Sequence, residues 1–468
     1  MNNKKLLLAY YGDDFTGSTD ALEFLTMAGA RTVLFIKPPT KEQLLSYEGL
    51  DAIGVAGMTR SMVPEEMEKE LFKAFNAFKR YEVPHIHYKV CSTFDSSPFI
   101  GSIGKAIDVG AAVFESPFIP LLVAAPTLGR YCAFGNLFAR MGIGTEGPIY
   151  RLDRHPSMRS HPVTPANESD LRVHLSRQTT KKIGLMNILQ MALNKQDMTE
   201  ALEIIIAEES EIVLFDALYP GHITSIGRLI DEYASVKKPL FSVGSSGIEM
   251  ALGNHWIEQS KLQPVSSWPS AGKSEPLLVV SGSCSPVTSA QISWALYNGF
   301  SEVVLDIQTI IKNNSAESLI HNYIERTLTL LKEGKSVIIH TDCNSRNPPE
   351  GVKPYSEEYV RTSNALLFGN TLGEIVKSVL AQVKIKRLVI AGGDTSSYAA
   401  RAMGIEAVEM FTPFAPGAPL CKTYAPGSPL DGIEINFKGG QVGTKDYFGL
   451  ALEGKMLTDS ISLNTNVY

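Results

Sequence analysis

The sequence is poor in cysteine and lacks the short cysteine and histidine motifs that hold a structural metal. Its 468 residues include 5 cysteines, which are far apart and form no CxxC pair, and 9 histidines, which form no HExxH motif. An odd number of widely spaced cysteines argues against a disulfide framework and against a zinc site. Neither cross-links nor zinc is therefore expected to hold this fold together.

Long apolar runs and an excess of positive charge are also absent. No stretch approaches the roughly 18 consecutive apolar residues that indicate a membrane-spanning helix. The formal net charge of -6 leaves no basic surface for nucleic acid. The apolar run Leu6–Tyr11 is ended by Asp13 and Asp14 and is too short for the core of a signal peptide. We expect a cytoplasmic protein with neither a nucleic-acid partner nor a membrane partner.

What the sequence does contain is a repeated alternation of short apolar runs and helical patterns. With 44% hydrophobic and 20% charged residues the chain can bury a large core, and its length predicts two or three domains. The runs typical of buried parallel strands are Leu6–Tyr11, Thr32–Ile36, Ala52–Ala56, Leu121–Ala125, Ile212–Phe215, Leu277–Val280, Val303–Leu305, Ser336–His340 and Arg387–Ala391. The pattern predicts α/β architecture with mostly parallel sheets, in which ligands bind at the carboxyl ends of strands.

One stretch interrupts this alternation. Residues 259–275, QSKLQPVSSWPSAGKSE, are rich in Ser and Pro and show no clear period. We interpret them as a linker between an N-terminal domain, residues 1–258, and a C-terminal domain, residues 276–468, with a cleft between the two. In the N-terminal domain Asp20, followed three positions later by Glu23, has the form of a capping box and predicts that the first helix starts there.

The segment YYGDDFTGSTDA follows the first predicted strand and leads into a helix. It places Asp13 and Asp14 in one tight turn with two glycines and several hydroxyl groups. A sugar acid needs such a mixture, because carboxylates accept hydrogen bonds from its hydroxyls while backbone and hydroxyl groups donate to its own carboxylate. One Asp is also suited to be the general base on a hydroxyl that attacks ATP. The alternatives are an acidic metal site and a plain turn with a helix cap.

Polar residues follow two further strands of this domain. Arg60 is suited to bind a substrate carboxylate in bidentate fashion, the alternative being a surface salt bridge. Lys89 precedes a polar cluster, which consists of Cys91, Ser92, Thr93, Asp95 and Ser96. Clustered hydroxyl groups also form plain turns, so the cluster alone predicts little. Cys91 has no base near it in the sequence, and we interpret it as a buried thiol rather than a nucleophile.

Three glycine-rich segments in the second half predict phosphate binding. LLVVSGSCSP and RLVIAGGDTSSYAA each leave a strand and enter a helix, and the backbone N–H groups at such a junction favour an anion. The third segment is FKGGQVGTKDYF, in which Lys445 is suited to neutralise phosphate charge. Asp394 is a candidate for holding the Mg²⁺ that bridges nucleotide phosphates. The Walker A motif, a GxGxxG motif after a strand and the protein-kinase signature set are all absent.

Five motifs together resemble the four-carbon acid sugar kinases. They are GDDFTGSTD, KVCSTFDSS, SGSCSPVT, AGGDTS and KGGQVGTKDYF, and the resemblance extends over almost the full length. It implies a sugar-binding N-terminal domain, a nucleotide-binding C-terminal domain, and ATP-dependent phosphorylation of the terminal hydroxyl of a four-carbon sugar acid of the threonate, erythronate or 3-oxo-tetronate type. ATP and Mg²⁺ are the cofactors this implies.

The resemblance also implies roles for individual residues. The substrate-binding loops would contain Asp13, Asp14, Arg60, Lys89, Ser92 and Asp95, and the ATP-binding loops would contain Ser283, Gly393, Asp394, Thr395, Ser396 and Gly440. We assign the general base to Asp14 in preference to Asp13. A homodimer is expected because it is the commonest assembly of such enzymes.

The sequence departs from the family pattern and leaves alternatives open. The segment Asn344–Tyr359 looks like an extended loop, and the segment around Asn136 and the loop His155–Pro165 are expected to reshape the substrate pocket. A branched or oxo sugar acid is therefore the alternative substrate. A non-catalytic regulatory protein that binds nucleotide and sugar acid would bind ATP without phosphoryl transfer. A metal-dependent aldolase or dehydratase using Asp13 and Asp14 as ligands would act without any nucleotide.

Overall fold

The computed structural model describes residues 5–141, 147–161, 163–283, 285–306, 317–341 and 357–457, with the side chains of residues 357–365 and of Asp394 left out. The chain divides into two compact units, one within Met1–Ser266 and the other within Ser267–Ser462. Each unit has its own mostly parallel sheet, with helices between successive strands.

The first unit contains eleven strands among its described residues. They are β1 (Leu8–Gly12), β2 (Thr32–Phe35), β3 (Ala52–Ala56), β4 (His85–Lys89), β5 (Ile119–Leu122), β6 (Arg130–Ala133), β7 (Asn136–Arg140), β8 (Ile149–Arg151), β9 (Ile183–Met186), β10 (Ile212–Phe215) and β11 (Leu240–Gly244). Eight of them form a parallel sheet in the order β2-β3-β1-β4-β11-β5-β10-β9, and β6, β7 and β8 form a small antiparallel sheet.

Helices cover the parallel sheet of this unit. They are Phe15–Met27, Lys41–Leu45, Pro64–Phe78, Ile103–Phe114, Pro156–Arg159, Leu171–Leu175, Lys195–Ala207, Pro220–Asp231 and Gly247–Glu258. Every residue of β1, β3, β4 and β11 is buried. A parallel sheet covered on both faces reads as continuous apolar runs, which is why these strands could be found in the sequence.

The second unit has seven strands among its described residues. They are β12 (Leu278–Ser281), β13 (Ser301–Leu305), β14 (Val337–Thr341), β15 (Arg387–Ala391), β16 (Ala407–Ala415), β17 (Ala418–Tyr424) and β18 (Glu434–Lys438). Their order is β13-β14-β12-β15-β18-β17-β16; the first five are parallel, and β17 runs antiparallel to both β18 and β16. The helices are Pro286–Tyr297, Glu317–Lys332, Glu357–Leu380, Gly393–Ala402 and Tyr447–Glu453.

The predicted α/β architecture with mostly parallel sheets is confirmed. The predicted strands Ala52–Ala56, Ile212–Phe215 and Arg387–Ala391 agree with the structure to the residue. The predicted helix start at Asp20 is wrong, because the helix begins at Phe15 with Asp14 as its N-cap, and Asp20 lies within the helix opposite Lys89. The predicted extended loop Asn344–Tyr359 lies largely outside the described residues, and the described part of the chain contains no helix long and apolar enough to span a membrane.

Candidate active site

Two adjacent carboxylates at the end of β1 share one guanidinium group. Asp13 and Asp14 follow β1 directly, and each is 3% exposed. Arg60 donates from Nε and Nη2 to the two oxygens of Asp13 at 3.1 and 2.9 Å, and from Nη1 to Oδ2 of Asp14 at 2.8 Å. Burial raises the pKa of Asp13; Arg60 opposes this effect and the charge of Asp14 adds to it. The three predicted residues therefore form one buried cluster.

Asp14 also begins the helix Phe15–Met27. Its carboxylate accepts from the backbone N–H of Gly17 at 2.6 Å and from the Thr16 hydroxyl at 2.9 Å. A side chain on Gly17 would start 2.7 Å from Oδ1 of Asp14, and within 3.7 Å of Lys89 Nζ and Arg60 Nη2. Glycine at this position therefore keeps open the space bounded by Asp14, Lys89 and Arg60.

Lys89 is the buried cation beside this cluster. It ends β4, whose register with β1 pairs Lys89 with Gly12, and it is 1% exposed. Its Nζ lies 3.3 Å from Oδ2 of Asp20 and donates to the Val90 carbonyl at 3.0 Å. Burial disfavours the charged form of Lys89, but the carboxylates of Asp20, Glu249 and Asp13 outweigh it and raise the lysine pKa. Lys89 is therefore charged, and its charge is balanced by more than one carboxylate.

Glu249 is a member of this cluster that sequence reasoning missed. It lies in the first turn of the helix after β11, is fully buried, and accepts no hydrogen bond from the described residues at either carboxylate oxygen. Burial raises its pKa to about 8, although Lys89 opposes the shift. Oε1 lies 3.6 Å from Nε2 of His87, whose pKa burial lowers to about 3. The signal was present, since Gly244, Ser245 and Ser246 form another strand–glycine–serine–helix junction.

The loop after β4 contributes the remaining predicted substrate residues. Ser92 is 9% exposed and Asp95 is half-buried, with Oδ1 of Asp95 enclosed and without a hydrogen-bond partner among the described residues. Burial raises the pKa of Cys91 to about 11, and the charge of Asp95 adds to this. Cys91 is therefore a protonated thiol, whose Sγ lies 2.9 Å from the Thr93 hydroxyl.

In the second unit the three predicted phosphate loops meet at one edge of the sheet. They follow β12, β15 and β18, which are parallel neighbours. A Cβ on Gly282 would lie 2.2 Å from the Thr395 hydroxyl, and one on Gly440 would lie 2.9 Å from the Ser283 hydroxyl. Gly392 has a positive φ of 121°, a conformation that favours glycine. A side chain on Gly282 or Gly440 would therefore meet a hydroxyl group of a neighbouring loop.

Helix N-termini and hydroxyl groups make up most of this second cluster. Ser285 caps the helix Pro286–Tyr297 by accepting from the N–H of Thr288 at 3.1 Å, and the Thr288 hydroxyl donates to the Gly440 carbonyl at 3.0 Å. The helix Gly393–Ala402 starts directly after Gly392 and contains the predicted Thr395 and Ser396, both buried. Asp394 belongs to the same helix, and its predicted metal role concerns a side chain outside the described part of the structure.

Lys438 is the cation of this cluster, and sequence reasoning missed it in favour of Lys445. Lys445 is exposed, whereas Lys438 ends β18 and is fully buried. Its Nζ donates to the Thr288 hydroxyl at 3.1 Å and to the Gly439 carbonyl at 2.9 Å, and it lies 5.6 Å from the centre of the Tyr447 ring. Burial lowers the pKa of Lys438 to about 7. This cation is therefore held at the centre of the phosphate loops in a site that disfavours its charge.

Two family models match this chain, and each covers the part of the chain that contains one of the two clusters. Residues 8–252 match a sugar-binding N-terminal domain, and residues 278–448 match a nucleotide-binding C-terminal domain. A 3-oxo-isoapionate kinase from Paraburkholderia graminis is 40% identical over 454 residues, covering 96% of this chain and 95% of the relative. A 3-oxo-tetronate kinase from Pseudomonas savastanoi is 26% identical over 454 residues, covering 97% and 98%.

Two solved structures share the fold. A Salmonella typhimurium LT2 protein described as a tRNA synthase superposes with a TM-score of 0.72 at 24% identity, covering 95% of this chain and 98% of its own. Haemophilus influenzae protein HI1011 superposes with a TM-score of 0.66 at 23% identity, with the same coverage. Likeness at this level of identity concerns the fold alone.

Proposed function

The chain belongs to the four-carbon acid sugar kinase family and is an ATP-dependent sugar acid kinase, and on this premise we propose that its acceptor substrate is a 3-oxo sugar acid. The predicted family and the predicted phosphoryl transfer to a hydroxyl group are confirmed. The choice of a 3-oxo acid is supported by the names of both kinds of relative, 3-oxo-isoapionate kinase and 3-oxo-tetronate kinase. We propose that the enzyme is cytoplasmic, where ATP is available. We also propose that residues 1–258 and residues 276–468 form its two domains, with residues 259–275 as the linker between them.

The observation that carries the proposal is the buried charge cluster at the carboxyl end of β1 and β4. Arg60 uses three of its five N–H groups on Asp13 and Asp14, which leaves two for a ligand, and its side chain is 25% exposed. Lys89 supplies a second positive charge behind the space that Gly17 keeps open. We therefore assign the acid's carboxylate to Arg60 and Lys89, and its hydroxyl groups to Ser92 and Asp95.

The phosphoryl acceptor needs a base close to its hydroxyl. We propose that this base comes from the Asp13–Asp14 pair, and we keep the assignment to Asp14 as the form to be tested first. Asp14 already accepts three hydrogen bonds, from Gly17, Thr16 and Arg60. Asp13 accepts two side-chain hydrogen bonds, both from Arg60. Variants at both positions are therefore needed to assign the base.

For the nucleotide we propose that Ser283, Gly393, Thr395, Ser396 and Gly440 surround the phosphates of ATP. Support comes from two helix N-termini and from close-packed glycines, because exposed backbone N–H groups and the helix dipole favour an anion. The positive end of each helix would stabilise charge on the transferring phosphoryl group.

Mg²⁺ is proposed as the counter-ion of ATP. Among the described residues no group of three His, Cys, Asp or Glu side chains could hold an ion by itself. Mg²⁺ in nucleotide sites is usually held by the phosphates together with one or two carboxylates, and Asp394 is our candidate carboxylate. When bound, the ion would neutralise charge on the phosphates, and the chain's own part would be to orient them.

The test is an assay of ADP release from Mg·ATP with a panel of acids. The panel contains 3-oxo-isoapionate, 3-oxo-tetronate, and both enantiomers of threonate and erythronate. We expect turnover with a 3-oxo acid and little with the reduced acids. Fast turnover of a threonate or erythronate instead would contradict the choice of a 3-oxo acid. ATP binding without turnover of any acid would point to the regulatory protein considered above.

A further inference from the structure

Arg130 is a buried arginine at the edge of the first unit where the substrate-binding loops lie. It begins β6, and its backbone N–H and carbonyl both hydrogen-bond to Ala125, at 3.1 and 3.0 Å. Ala125 follows the end of β5 at Leu122, which is paired with Gly244 of β11, and Gly244 is paired in turn with Lys89 of β4. Because these strands are parallel, Arg130 lies beyond the same ends of the sheet as Lys89.

The guanidinium group of Arg130 is fixed in place through one of its nitrogens. The residue is 6% exposed, and Nη1 donates to the backbone carbonyls of Leu128, Gly129 and Arg140 at 3.1, 3.3 and 3.2 Å. Nε is sealed from solvent and has no hydrogen-bond partner among the described residues. Nη2 makes no hydrogen bond with the described residues either, but it is not sealed. Two N–H donors of an anchored arginine are therefore unused where a ligand can reach them.

Arg130 also differs from Arg60 and Lys89 in having no carboxylate partner among the described residues. Arg60 contacts two carboxylates and Lys89 contacts one, at N–O distances of 2.8, 2.9 and 3.3 Å. Burial disfavours the charge of both, but their carboxylates outweigh it and raise the pKa of each. For Arg130 burial prevails and lowers the pKa, although Cys91 and Asp95 oppose the shift. A buried cation without a counter-charge is unfavourable, so an anion that reaches Nη2 would be stabilised.

The surroundings of Arg130 connect it with the substrate-binding residues. The charge of Asp20 acts on both Arg130 and Lys89, and Arg130 also interacts with Asp95 of the loop after β4. A sugar acid brings one permanent anion to this site, its carboxylate. Placed against Arg60 alone, that group would meet the two carboxylates that Arg60 already holds, and like charges repel. A cation that has no such partner is better suited to receive it.

We propose that Arg130 is a further substrate-binding residue, which donates from Nη2 to the carboxylate of the sugar acid. It supplies a positive charge that no carboxylate of the described residues neutralises, whereas Arg60 and Lys89 share theirs with the protein. This inference rests on the proposed function, because it extends the assignment of the carboxylate to Arg60 and Lys89. Nη1 meanwhile keeps the guanidinium group oriented through its three carbonyl contacts.

The test measures the Kd of 3-oxo-tetronate and of its carboxamide by calorimetry, without nucleotide, for the wild type, Arg130→Gln and Arg130→Lys. Both variants keep an N–H donor for the carbonyls around Nη1, but only lysine keeps the charge. The wild type should bind the acid more tightly than the carboxamide. We expect Arg130→Gln to reduce this preference by about tenfold or more, mainly by weakening the acid, and Arg130→Lys to keep part of it.

Arg151→Met is the matched control for these two variants. Arg151 lies on β8 of the same small sheet, its side chain is 44% exposed, and it pairs with Asp153. We expect this variant to change the Kd of either compound less than about twofold, because an exposed pair contributes little. The KM for ATP should stay unchanged in all three variants.

Equal weakening of the acid and the carboxamide in Arg130→Gln would show that Arg130 only supports its own turn, and would overturn the inference, as would no weakening of either. If the variants fail to fold, a crystal structure of the wild type with the acid decides: a carboxylate bonded to Nη2 supports the inference, and a carboxylate bound elsewhere overturns it. Wild-type turnover of threonate in place of 3-oxo-tetronate would overturn only the proposed acceptor, and threonate with its carboxamide would then test Arg130. Turnover of no acid would overturn both.

Discussion

The two clusters occupy equivalent places in their units but use different chemistry. Both lie where parallel strands end and helices begin, after β1 and β4 in the first unit and after β12, β15 and β18 in the second. The first gathers Asp13, Asp14, Asp20 and Glu249 around Arg60 and Lys89. The second has glycines, hydroxyl groups and the single buried cation Lys438 among its described residues.

The difference follows from what each cluster has to recognise. A sugar acid has many hydroxyl groups and one carboxylate, so its site needs both acceptors and cations in fixed positions. Phosphate has only acceptors, so backbone N–H groups and one or two cations are sufficient. In the first cluster both cations already have carboxylate partners before any ligand binds. In the second, the charge of Lys438 is disfavoured by burial, and an anionic ligand would favour it. Substitutions should therefore affect the two clusters differently.

The largest effect is expected for Lys89→Met. Removing this cation leaves the carboxylate of Asp20 buried without its partner, and breaking such a buried pair costs about 3–5 kcal/mol. We expect a large fall in the free energy of unfolding, measured with denaturant, and activity reduced by about 10³ or more in whatever protein remains folded. Lys105→Met, which removes a surface pair with Glu68, is the control and should cost less than about 1 kcal/mol. Similar losses in both variants would show that burial does not distinguish these pairs.

The next effect is expected for Asp14→Asn. If Asp14 is the base, turnover should fall by about 10² or more, because the amide cannot take a proton. Stability should fall by less than in Lys89→Met, since asparagine is also a good N-cap for the helix Phe15–Met27 and Arg60 keeps Asp13 as its partner. Rates of ADP release and urea unfolding measure the two effects separately. Asp13→Asn is the companion variant, and a larger loss of turnover there would transfer the role of base to Asp13.

These residues also mark how far the sequence could predict the site. Asp13, Asp14 and Lys89 were found because polar residues at the end of an apolar run lie at the carboxyl edge of a sheet. Partners were harder to predict: Arg60 lies 47 residues from Asp13 in the chain, and nothing local indicates that the two pair. Tertiary contacts decide such choices, so Asp20 pairs with Lys89 rather than capping a helix.

Burial was the other quantity that the sequence did not reveal. Glu249 and Lys438 follow the same strand-to-helix pattern as the residues that were predicted, but the pattern does not indicate which charged side chain is enclosed. In KGGQVGTK the motif contains Lys438 at its start and Lys445 at its end, and only the structure shows that the buried one is Lys438. Strand bounds were easier because a strand covered on both faces is apolar throughout.

A smaller effect is expected for Lys438→Met, and it should concern the nucleotide rather than the fold. Methionine is an unbranched side chain without the cation that lies over the Tyr447 ring, so we expect ATP affinity to fall by about tenfold, measured by calorimetry. Lys445→Met removes an exposed lysine of the same loop and is the control, expected to change affinity less than about twofold. Equal effects would mean that Lys438 only supports the loop.

The ATP affinity of this variant should also depend on pH differently from that of the wild type. Because burial lowers the pKa of Lys438 to about 7, the free enzyme loses this proton as pH rises above 7, and a bound phosphate would favour keeping it. ATP affinity of the wild type should therefore fall more steeply between pH 7 and pH 9 than that of Lys438→Met, and calorimetry across this range measures both slopes. Parallel slopes would contradict a contact between this lysine and the phosphates.

The last effect is expected for Glu249→Gln, and its sign distinguishes the first cluster from a simple ion pair. Burial raises the pKa of Glu249 to about 8, so the folded protein binds this proton more tightly than the unfolded chain does, where a glutamate has a pKa of about 4.3. The stability from this group is present below pH 4.3 and is lost as pH rises toward 8. The neutral glutamine escapes the loss, so the free energy of unfolding of the variant should gain on that of the wild type as pH rises from 5 to 8, by up to about 1.4 kcal/mol for each pH unit. Urea unfolding at both pH values measures this difference, with Glu258→Gln at the exposed end of the same helix as the control. If Glu249 instead served Lys89 as an ionised partner, the variant would be less stable than the wild type at pH 8, and the charges of this cluster would be as fully paired as those of Arg60 with Asp13.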